Sequence, residues 1–273
     1  MAHITTITSA RTPLNRIHIC QAAVRIKALR VPAVVQDGGV DSVLLDCDYE
    51  LRNPYGLVVK WYFAPDGKMT MRPIYQWIAD QKPHALGAFK NFVNLSYKAS
   101  DDPNFRYRAM NLLKPTRNMS GTYQCVVETY YDGTAQESAK MLVYVPQSML
   151  LLGQEKVDDD TIRVFCWAHG VYPSPIITMR IANNELSETD TDITQNNDLL
   201  FKVRVSSEVR TEELPEDPAE MSCELSLPDT NYTFKQEGLV YKGGPPAVSP
   251  ADLTAASADL TAAASRNHTF GKC

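Results

Sequence analysis

The chain has 273 residues, of which 22% are charged, and a formal net charge of −5 at pH 7. This length is generous for one domain and suits two domains of about 100 residues each. The mildly negative charge leaves no basic stripe, which excludes the electrostatic footprint that nucleic-acid binding requires.

The first segment of the chain lacks the pattern of a secretory leader. Such a leader has a basic start, an apolar run of about 7–15 residues and a small-residue cleavage site. Residues 1–28 are polar and mixed instead. We therefore predict that residues 1–29 are a disordered N-terminal segment or an incorrectly assigned leader. The alternative is that the protein has no leader and is cytosolic.

Three segments between residues 43 and 128 alternate apolar and polar side chains, which is the period of a strand with one buried face. Their predicted inward residues are Val43, Leu45, Cys47 and Tyr49, then Leu57, Val59, Trp61 and Phe63, and finally Tyr123, Cys125 and Val127. The three strands therefore offer their inward faces to one core.

The order Cys47, Trp61 and Tyr123-x-Cys125 resembles a variable-type immunoglobulin domain, which we place at residues 30–145. In that family the tryptophan packs on a disulfide between two sheets, and the tyrosine forms a corner with the backbone upstream. The resemblance implies a Cys47–Cys125 disulfide, with Trp61 and Tyr123 buried in the core of the sandwich. Its loop of 78 residues (125 − 47) would stabilise the fold by about 4 kcal/mol on the chain-entropy model.

The run Asn118-Met-Ser-Gly-Thr-Tyr-Gln-Cys125 matches the D-x-G-x-Y-x-C motif of the same family, with one departure. Met119 stands where the family has an aspartate that pairs with an arginine at the bottom of the sandwich. Arg106 and Arg108 are therefore expected to lack that partner. The two-domain layout is also similar to insect cell-surface proteins of the beaten-path kind, which implies a role in axon guidance.

Residues 146–242 are predicted to form a second immunoglobulin-like sandwich, of the constant type or a degenerate form of it. Cys166-Trp-Ala-His-Gly-Val-Tyr-Pro173 resembles the C-x-A-x-G-x-Y-P turn of constant-type domains. That resemblance implies a cis peptide bond before Pro173 and a Cys166–Cys223 bridge.

Two methionines depart from the constant-type pattern. Met179 stands near the place of the core tryptophan, and Met221 stands where the corner tyrosine belongs. Trp167 lies on the opposite face of its strand from Cys166, so it is not the core tryptophan. It is either half-buried at the domain boundary or exposed for a partner.

Residues 243–273 are low in complexity and repeat Ala-Asp-Leu-Thr-Ala-Ala. Such a composition offers too few large apolar groups to offset the entropy of ordering, so we predict a disordered tail. The chain shows no apolar run of about 20 residues for a membrane span, and no terminal run of about 10–20 for a glycolipid anchor. Membrane attachment is therefore unsupported by the sequence.

The cysteines and sequons indicate an extracellular location, either secreted or at the cell surface. Two intradomain disulfides require an oxidising compartment. Four N-x-S/T glycosylation sequons agree with that compartment, and their acceptors are Asn94, Asn118, Asn231 and Asn267. Cys20 and Cys273 are left without an assigned partner.

Catalytic and metal-binding motifs are absent from the sequence. The five histidines have no carboxylate or cysteine at a metal-ligand spacing, and nucleophile-elbow, Walker and dinucleotide motifs are missing. The acidic run Val157-Asp-Asp-Asp160 lacks the pattern of a calcium loop and reads as a solvated turn. We predict neither enzymatic activity nor a cofactor.

The outward side of the first domain is the predicted binding face. If Trp61 and both cysteines point inward, Tyr62 and Val126 point outward from the same sheet, and Tyr75 and Trp77 lie beside them on the next strand. Aromatic side chains anchor many protein interfaces. The alternative is that Tyr75 or Trp77 folds over the sandwich edge, or that only one of the pair is exposed.

Tyr130 and Tyr131 are predicted at the tip between the last two strands of the first domain, beside Asp132-Gly133. A tyrosine-rich loop with a turn glycine is typical of recognition surfaces. An ordinary hairpin tip is the competing interpretation.

The sequence thus predicts an all-β chain of two tandem immunoglobulin-like β-sandwiches with a disordered C-terminal tail. Its predicted function is non-catalytic recognition or cell adhesion, in which the first domain binds another immunoglobulin-superfamily cell-surface protein, heterophilically or homophilically. The alternative is a secreted, soluble immunoglobulin-domain binder with an immune or ligand-binding role. A ligand-binding role would require a pocket.

Overall fold

The structure is a computed structural model that describes residues 24–215 and 217–243. The first sandwich contains nine strands and two 3₁₀ turns, Gly87–Phe89 and Arg117–Met119. The strands are β1 Arg25–Arg30, β2 Val34–Gln36, β3 Ser42–Glu50, β4 Val58–Pro65, β5 Arg72–Ile78, β6 His84–Ala85, β7 Met110–Leu113, β8 Gly121–Thr129 and β9 Gly133–Tyr144.

These strands form one sheet of three strands in the order β1-β3-β7 and one of six in the order β2-β9-β8-β4-β5-β6. Every pair of neighbours is antiparallel except β2 and β9, which run parallel. The three segments with predicted period-two alternation lie in β3, β4 and β8, and their inward positions are buried as predicted, apart from the half-buried Val43. Alternation therefore identified three of the strands that carry the core.

The core of the first sandwich is built on the predicted cysteine pair. Cys47 and Cys125 form a disulfide with their Cα atoms 6.4 Å apart. Trp61 lies directly opposite Cys125 in the β4–β8 pairing. Trp61 and Tyr123 are both fully buried, so their predicted place in the core is confirmed.

Gly121, the glycine of the sequence motif, opens β8 at a place where a side chain has no room. A Cβ atom there would collide with the carbonyl oxygen of Ala64 and lie 2.8 Å from the ring of Phe63. The close approach of β8 to β4 therefore requires glycine.

The second sandwich contains eight strands and one 3₁₀ turn, Thr211–Glu213. The strands are β10 Met149–Lys156, β11 Thr161–Val171, β12 Ile176–Ile181, β13 Asn184–Glu185, β14 Asp190–Gln195, β15 Phe201–Arg210, β16 Ala219–Ser226 and β17 Thr233–Val240. They form two antiparallel sheets of four strands, β10-β11-β15-β14 and β13-β12-β16-β17. Apart from the two-residue β13, this is the constant-type division into four and three strands.

Two methionines take the places of the aromatic core residues in the second sandwich. Cys166 and Cys223 form the predicted disulfide, with Cα atoms 6.2 Å apart. Met179 lies opposite Cys223 in the β12–β16 pairing, the position that Trp61 holds opposite its own cysteine. Met179 and Met221 are both buried. The cis peptide bond expected before Pro173 is present.

Trp167 lies on the outer face of β11 and is half-buried. The amine of Lys202 lies 5.0 Å from the centre of its ring, and the imidazole of His169 lies beside it at 6.2 Å between centroids. Trp167 is therefore half-buried, and its predicted place at the domain boundary stays a prediction.

The described chain falls into two compact units. One comprises residues up to Ala33, Asp41–Pro115 and Ser120–Met141, and the other comprises Val34–Val40, Thr116–Met119 and the chain from Leu142 onward. The boundaries at residues 145 and 242 stay a prediction.

The prediction that residues 1–29 are disordered is wrong from Val24 onward. β1 begins at Arg25 and pairs with β3, where Leu29 lies opposite Cys47. Arg25, Lys27 and Arg30 of β1 also form ion pairs with Glu50, Asp48 and Asp46 of β3. Sequence reasoning missed this edge strand because contacts between strands are not visible in a single short segment. The predicted tail lies outside the described residues, except for Gly243.

Candidate recognition surface

The predicted outward aromatic patch does not form. Tyr75 and Trp77 are buried, with 2% and 1% of their surface exposed, because both point into the sandwich from β5. In the pairing of β4 with β5, Tyr75 lies opposite Trp61 and Trp77 lies opposite Val59, both of which are core residues. The prediction that Tyr75 and Trp77 are exposed is wrong.

Val126 does point outward from β8, but it is also buried, with 7% of its surface exposed. Its neighbour across the strands is Lys60, whose amine bonds the carboxylate of Glu128 at 2.7 Å. The prediction that Val126 forms part of an exposed face is therefore wrong, whereas Tyr62 stays half-exposed on the same face.

An exposed aromatic cluster lies instead at one end of the first sandwich. We call it the tyrosine cluster, and its members are Tyr55, Tyr130 and Tyr131, with 66%, 75% and 61% of their surfaces exposed. Tyr130 and Tyr131 were predicted at this tip. The ring centroids lie 4.9 Å apart for Tyr130 and Tyr131, 5.8 Å for Tyr55 and Tyr131, and 6.0 Å for Tyr55 and Tyr130. Each ring therefore contacts the other two at distances typical of aromatic pairs.

Backbone bonds and one carboxylate hold the two loops of the tyrosine cluster together. The Asp132 carboxylate accepts hydrogen bonds from the backbone N–H groups of Arg52 (2.7 Å) and Asn53 (2.9 Å). The Tyr130 N–H donates to the Tyr55 carbonyl at 3.0 Å. Because a carboxylate bonded to two N–H groups is strongly held, the loop between β3 and β4 is fixed against the loop between β8 and β9.

Sequence reasoning missed Tyr55 because it lies in a loop, where alternation carries no information. The available signal was the turn sequence Asn53-Pro-Tyr-Gly56 between the cysteine strand and the tryptophan strand. The Asn53 side chain accepts a hydrogen bond from the Tyr55 N–H at 2.9 Å, which is the local turn that asparagine favours.

Arg108 does not lack a partner, contrary to the expectation from Met119. It forms ion pairs with Asp46, at 3.0 Å, and with Asp48 on the outer face of β3. These aspartates alternate with Cys47, so their outward direction was readable from the sequence. Among the described residues, Arg106 has no carboxylate partner, and one of its terminal nitrogens donates to the Asp101 carbonyl at 3.1 Å.

Three of the four sequon asparagines lie within the described residues, and all three are exposed: Asn94, Asn118 and Asn231. The Asn94 side chain accepts a hydrogen bond from the Ser96 N–H at 3.1 Å. Asn267, Cys20 and Cys273 lie outside the described residues.

Within residues 24–215 and 217–243, no group of three or more histidine, cysteine or acidic side chains is arranged to hold a metal ion. No helix in this part of the chain is long and apolar enough to cross a membrane.

Comparison with known proteins gives a likeness in structure but none in sequence. No protein-family model and no curated protein matches the chain. Bovine butyrophilin is similar to it with a TM-score of 0.63 and 14% identity, over 80% of this chain and 98% of that one. The fold is immunoglobulin-like.

Two further solved structures are similar to the chain over most of its length. One is Rst D1-D2, with a TM-score of 0.52 and 15% identity, over 79% of this chain and 97% of that one. The other is a chain from the complex of ICOS with ICOS-L and an anti ICOS-L VNAR domain, with a TM-score of 0.54 and 14% identity, over 76% and 98% of the two chains. At these identities the comparisons establish two tandem immunoglobulin-like sandwiches.

Proposed function

We propose that this chain is a non-catalytic extracellular recognition protein whose first sandwich binds the ectodomain of another protein. The observation that carries the proposal is the tyrosine cluster, in which three largely exposed rings are held together by hydrogen bonds between two loops. Exposed aromatic side chains have an energetic reason to be covered by a partner.

The cluster has the properties of an interface anchor. Tyrosine offers a large apolar ring and a polar hydroxyl while losing little conformational freedom on binding. Because the two loops are already fixed, less entropy is lost on association than for mobile loops. In variable-type domains the loops at this end are the ones that meet ligands. Tyr62, half-exposed on the outer sheet face, is the second proposed contact.

The disulfides and exposed sequon asparagines support an oxidising, extracellular location. An immunoglobulin-superfamily cell-surface protein is the proposed partner class, with axon guidance as the proposed setting. That setting rests on the sequence resemblance to the beaten-path kind alone.

The test begins with a binding screen of the full chain, presented as a multivalent probe, against isolated immunoglobulin-superfamily ectodomains, with the chain itself included. For each partner found, affinity is measured for Tyr130→Ser/Tyr131→Ser. We expect a loss of about 2 kcal/mol or more in binding free energy, as for central aromatic anchors.

The matched control is Ile176→Ser, which removes another exposed apolar side chain, 59% exposed, from the second sandwich. It is expected to leave affinity unchanged, and both variants are expected to keep the unfolding temperature of the native chain. Equal affinity for the tyrosine variant and the native chain would remove the cluster from the interface. Absence of both partner binding and self-association would contradict recognition.

A further inference from the structure

A pocket of about 290 Å³ opens at the surface of the first sandwich, beside Trp77. Trp77, near the end of β5, lines it together with Pro103, Arg106 and Tyr107, and residues 80–82 form the rim. The rim residues are exposed, so the pocket is open to solvent.

The segment that carries Arg106 and Tyr107 is held in place by core aromatic residues. Three buried aromatic side chains donate hydrogen bonds to backbone carbonyls of residues 104–108. These bonds run from Tyr49 Oη to Asn104 O (2.6 Å), from Tyr75 Oη to Tyr107 O (2.8 Å) and from Trp61 Nε1 to Arg108 O (3.2 Å). The segment that carries Arg106 is therefore fixed before any ligand arrives.

Trp77 is the exception among these core aromatic residues. Only 1% of its surface is exposed, yet its indole Nε1–H has no acceptor among the described residues. Its ring meets that of Tyr107 edge-on at 5.8 Å between centroids. A buried donor without an acceptor is destabilising, so this N–H is suited to an acceptor that enters from outside the chain.

Arg106 supplies a second free donor to the same pocket. Its Nε–H is also buried without an acceptor. Neither Arg106 nor the neighbouring Lys82 forms an ion pair within the described part of the chain, since the described ion pairs all involve other residues. Two cations without an ion pair and two buried N–H groups without an acceptor therefore belong to residues that line one pocket.

We propose that this pocket binds a carboxylate. One oxygen would accept from Trp77 Nε1 and the other from Arg106 Nε, because a guanidinium bonds a planar carboxylate more strongly than a neutral carbonyl. The carboxylate of Asp80, on the rim, weakens the attraction of the pocket for an anion. Removing its charge is therefore a second test of the site. The ligand is either an Asp or Glu side chain of a partner or a free carboxylate.

The pocket lies at the same end of the six-stranded sheet as the tyrosine cluster. Val58 pairs with Ile78 at the end of β5 and with Glu128, two residues before Tyr130. A protein that binds the tyrosine cluster would therefore also lie near this pocket, and one of its acidic side chains would be the ligand. Carboxylate binding is nevertheless measurable without any protein partner, so its failure and that of the proposed recognition function are distinguishable.

The test follows the indole N–H signals of the full, disulfide-bonded chain in ¹H–¹⁵N spectra. The chain has three tryptophans, and Trp77→Phe assigns the signal of interest. Sodium acetate is titrated against sodium chloride at equal ionic strength. We expect a saturable downfield shift of the Trp77 signal with a dissociation constant on the order of millimolar. The Trp61 signal, already bonded to Arg108 O, is expected to stay in place.

Variants on the pocket wall separate a site from a general salt effect. Arg106→Gln is expected to weaken acetate binding about tenfold or more, as the loss of one charge-assisted hydrogen bond does. Asp80→Asn is expected to strengthen it. Arg72→Gln, an exposed charge change on the same strand, is the matched control. The proposal is overturned if acetate shifts Trp77 no more than chloride does, or if Arg106→Gln titrates like the native chain.

Blocked tripeptides then identify the source of the carboxylate. The peptides are acetyl-Gly-Glu-Gly-amide and its Gln counterpart. Tighter binding of the Glu peptide than of acetate assigns the site to a protein side chain, and the reverse order assigns it to a free carboxylate. An equal shift with the Gln peptide overturns the proposal, because a neutral carbonyl would then suffice.

Discussion

The two sandwiches share a disulfide framework but fill their cores differently. Opposite the second cysteine, the first sandwich places Trp61 and the second places Met179. Two residues before that cysteine, the first has Tyr123 and the second has Met221. Either pair fills the space between the sheets, since all four side chains are buried. The immunoglobulin-like fold therefore depends on strand alternation and the disulfide rather than on the aromatic pair.

The difference lies in what the core residues do besides packing. In the first sandwich, Tyr49, Trp61 and Tyr75 donate hydrogen bonds to the backbone of residues 104–108. Methionine has no N–H or O–H to donate. The aromatic core thus fixes a loop segment at the recognition end, whereas a methionine core supplies packing alone.

The largest expected effect separates the two cores. Trp61→Ala should destabilise the first sandwich by about 4–5 kcal/mol through lost burial and a residual cavity. Calorimetry should resolve two unfolding transitions, and we expect only the transition of the first sandwich to move to a lower temperature. A uniform downward shift of both would mean that the two cores unfold as one.

High pH should act on the same sandwich. Burial raises the pKa of Tyr49, Tyr75 and Tyr123 above the ordinary value of about 10. In the unfolded chain these hydroxyls lose their protons near pH 10, so the stabilisation is complete below that pH and is lost as the pH rises toward the folded pKa values. At pH 11 each of the three tyrosines should lower the free energy of unfolding by about 1.4 kcal/mol, and together they should lower it by about 4 kcal/mol.

Urea unfolding at pH 9 and pH 11 measures this loss. The second sandwich has no fully buried tyrosine among its described residues, so its transition serves as the internal reference. An equal loss in both transitions would assign the effect to other groups.

Met179→Ala should destabilise the second sandwich, as Trp61→Ala does the first, but by a smaller free energy. We expect a loss of about 3 kcal/mol, within the range for a buried methionine. Met179→Leu keeps most of the volume and should cost less than about 1.5 kcal/mol. If the leucine variant were as unstable as the alanine variant, the thioether would have a role beyond filling space.

The smallest expected change tests the bond to the loop. Tyr75→Phe removes the hydroxyl that bonds Tyr107 O and should cost about 1 kcal/mol. Hydrogen exchange should accelerate at the amides of Phe105 and Arg108, while the amides of β16 should be unchanged. Unchanged exchange at residues 105–108 would show that packing alone holds the segment.

Alternation predicted the inward residues of β3, β4 and β8, including Trp61 and Tyr123, because an inward face repeats every second residue. Both disulfides were predicted from the resemblance to immunoglobulin domains. Alternation failed at β5, where Ile74, Tyr75 and Trp77 are all buried. A strand with large apolar groups on both faces does not reveal which face points inward. Tyr55 was missed for another reason: loops far apart in sequence bring the cluster together, and a hydrogen bond to Asp132 is invisible to periodicity.

The Asp132 carboxylate also constrains how this surface can change. Since it bonds the backbone N–H groups of Arg52 and Asn53, an insertion or deletion in either loop would move the carboxylate away from both donors. Substitutions at Tyr55, Tyr130 and Tyr131 leave those bonds intact because the donors are backbone groups. New specificities are therefore accessible by exchanging side chains at fixed loop length, which makes the tip suited to a point-mutation library rather than to loop grafting.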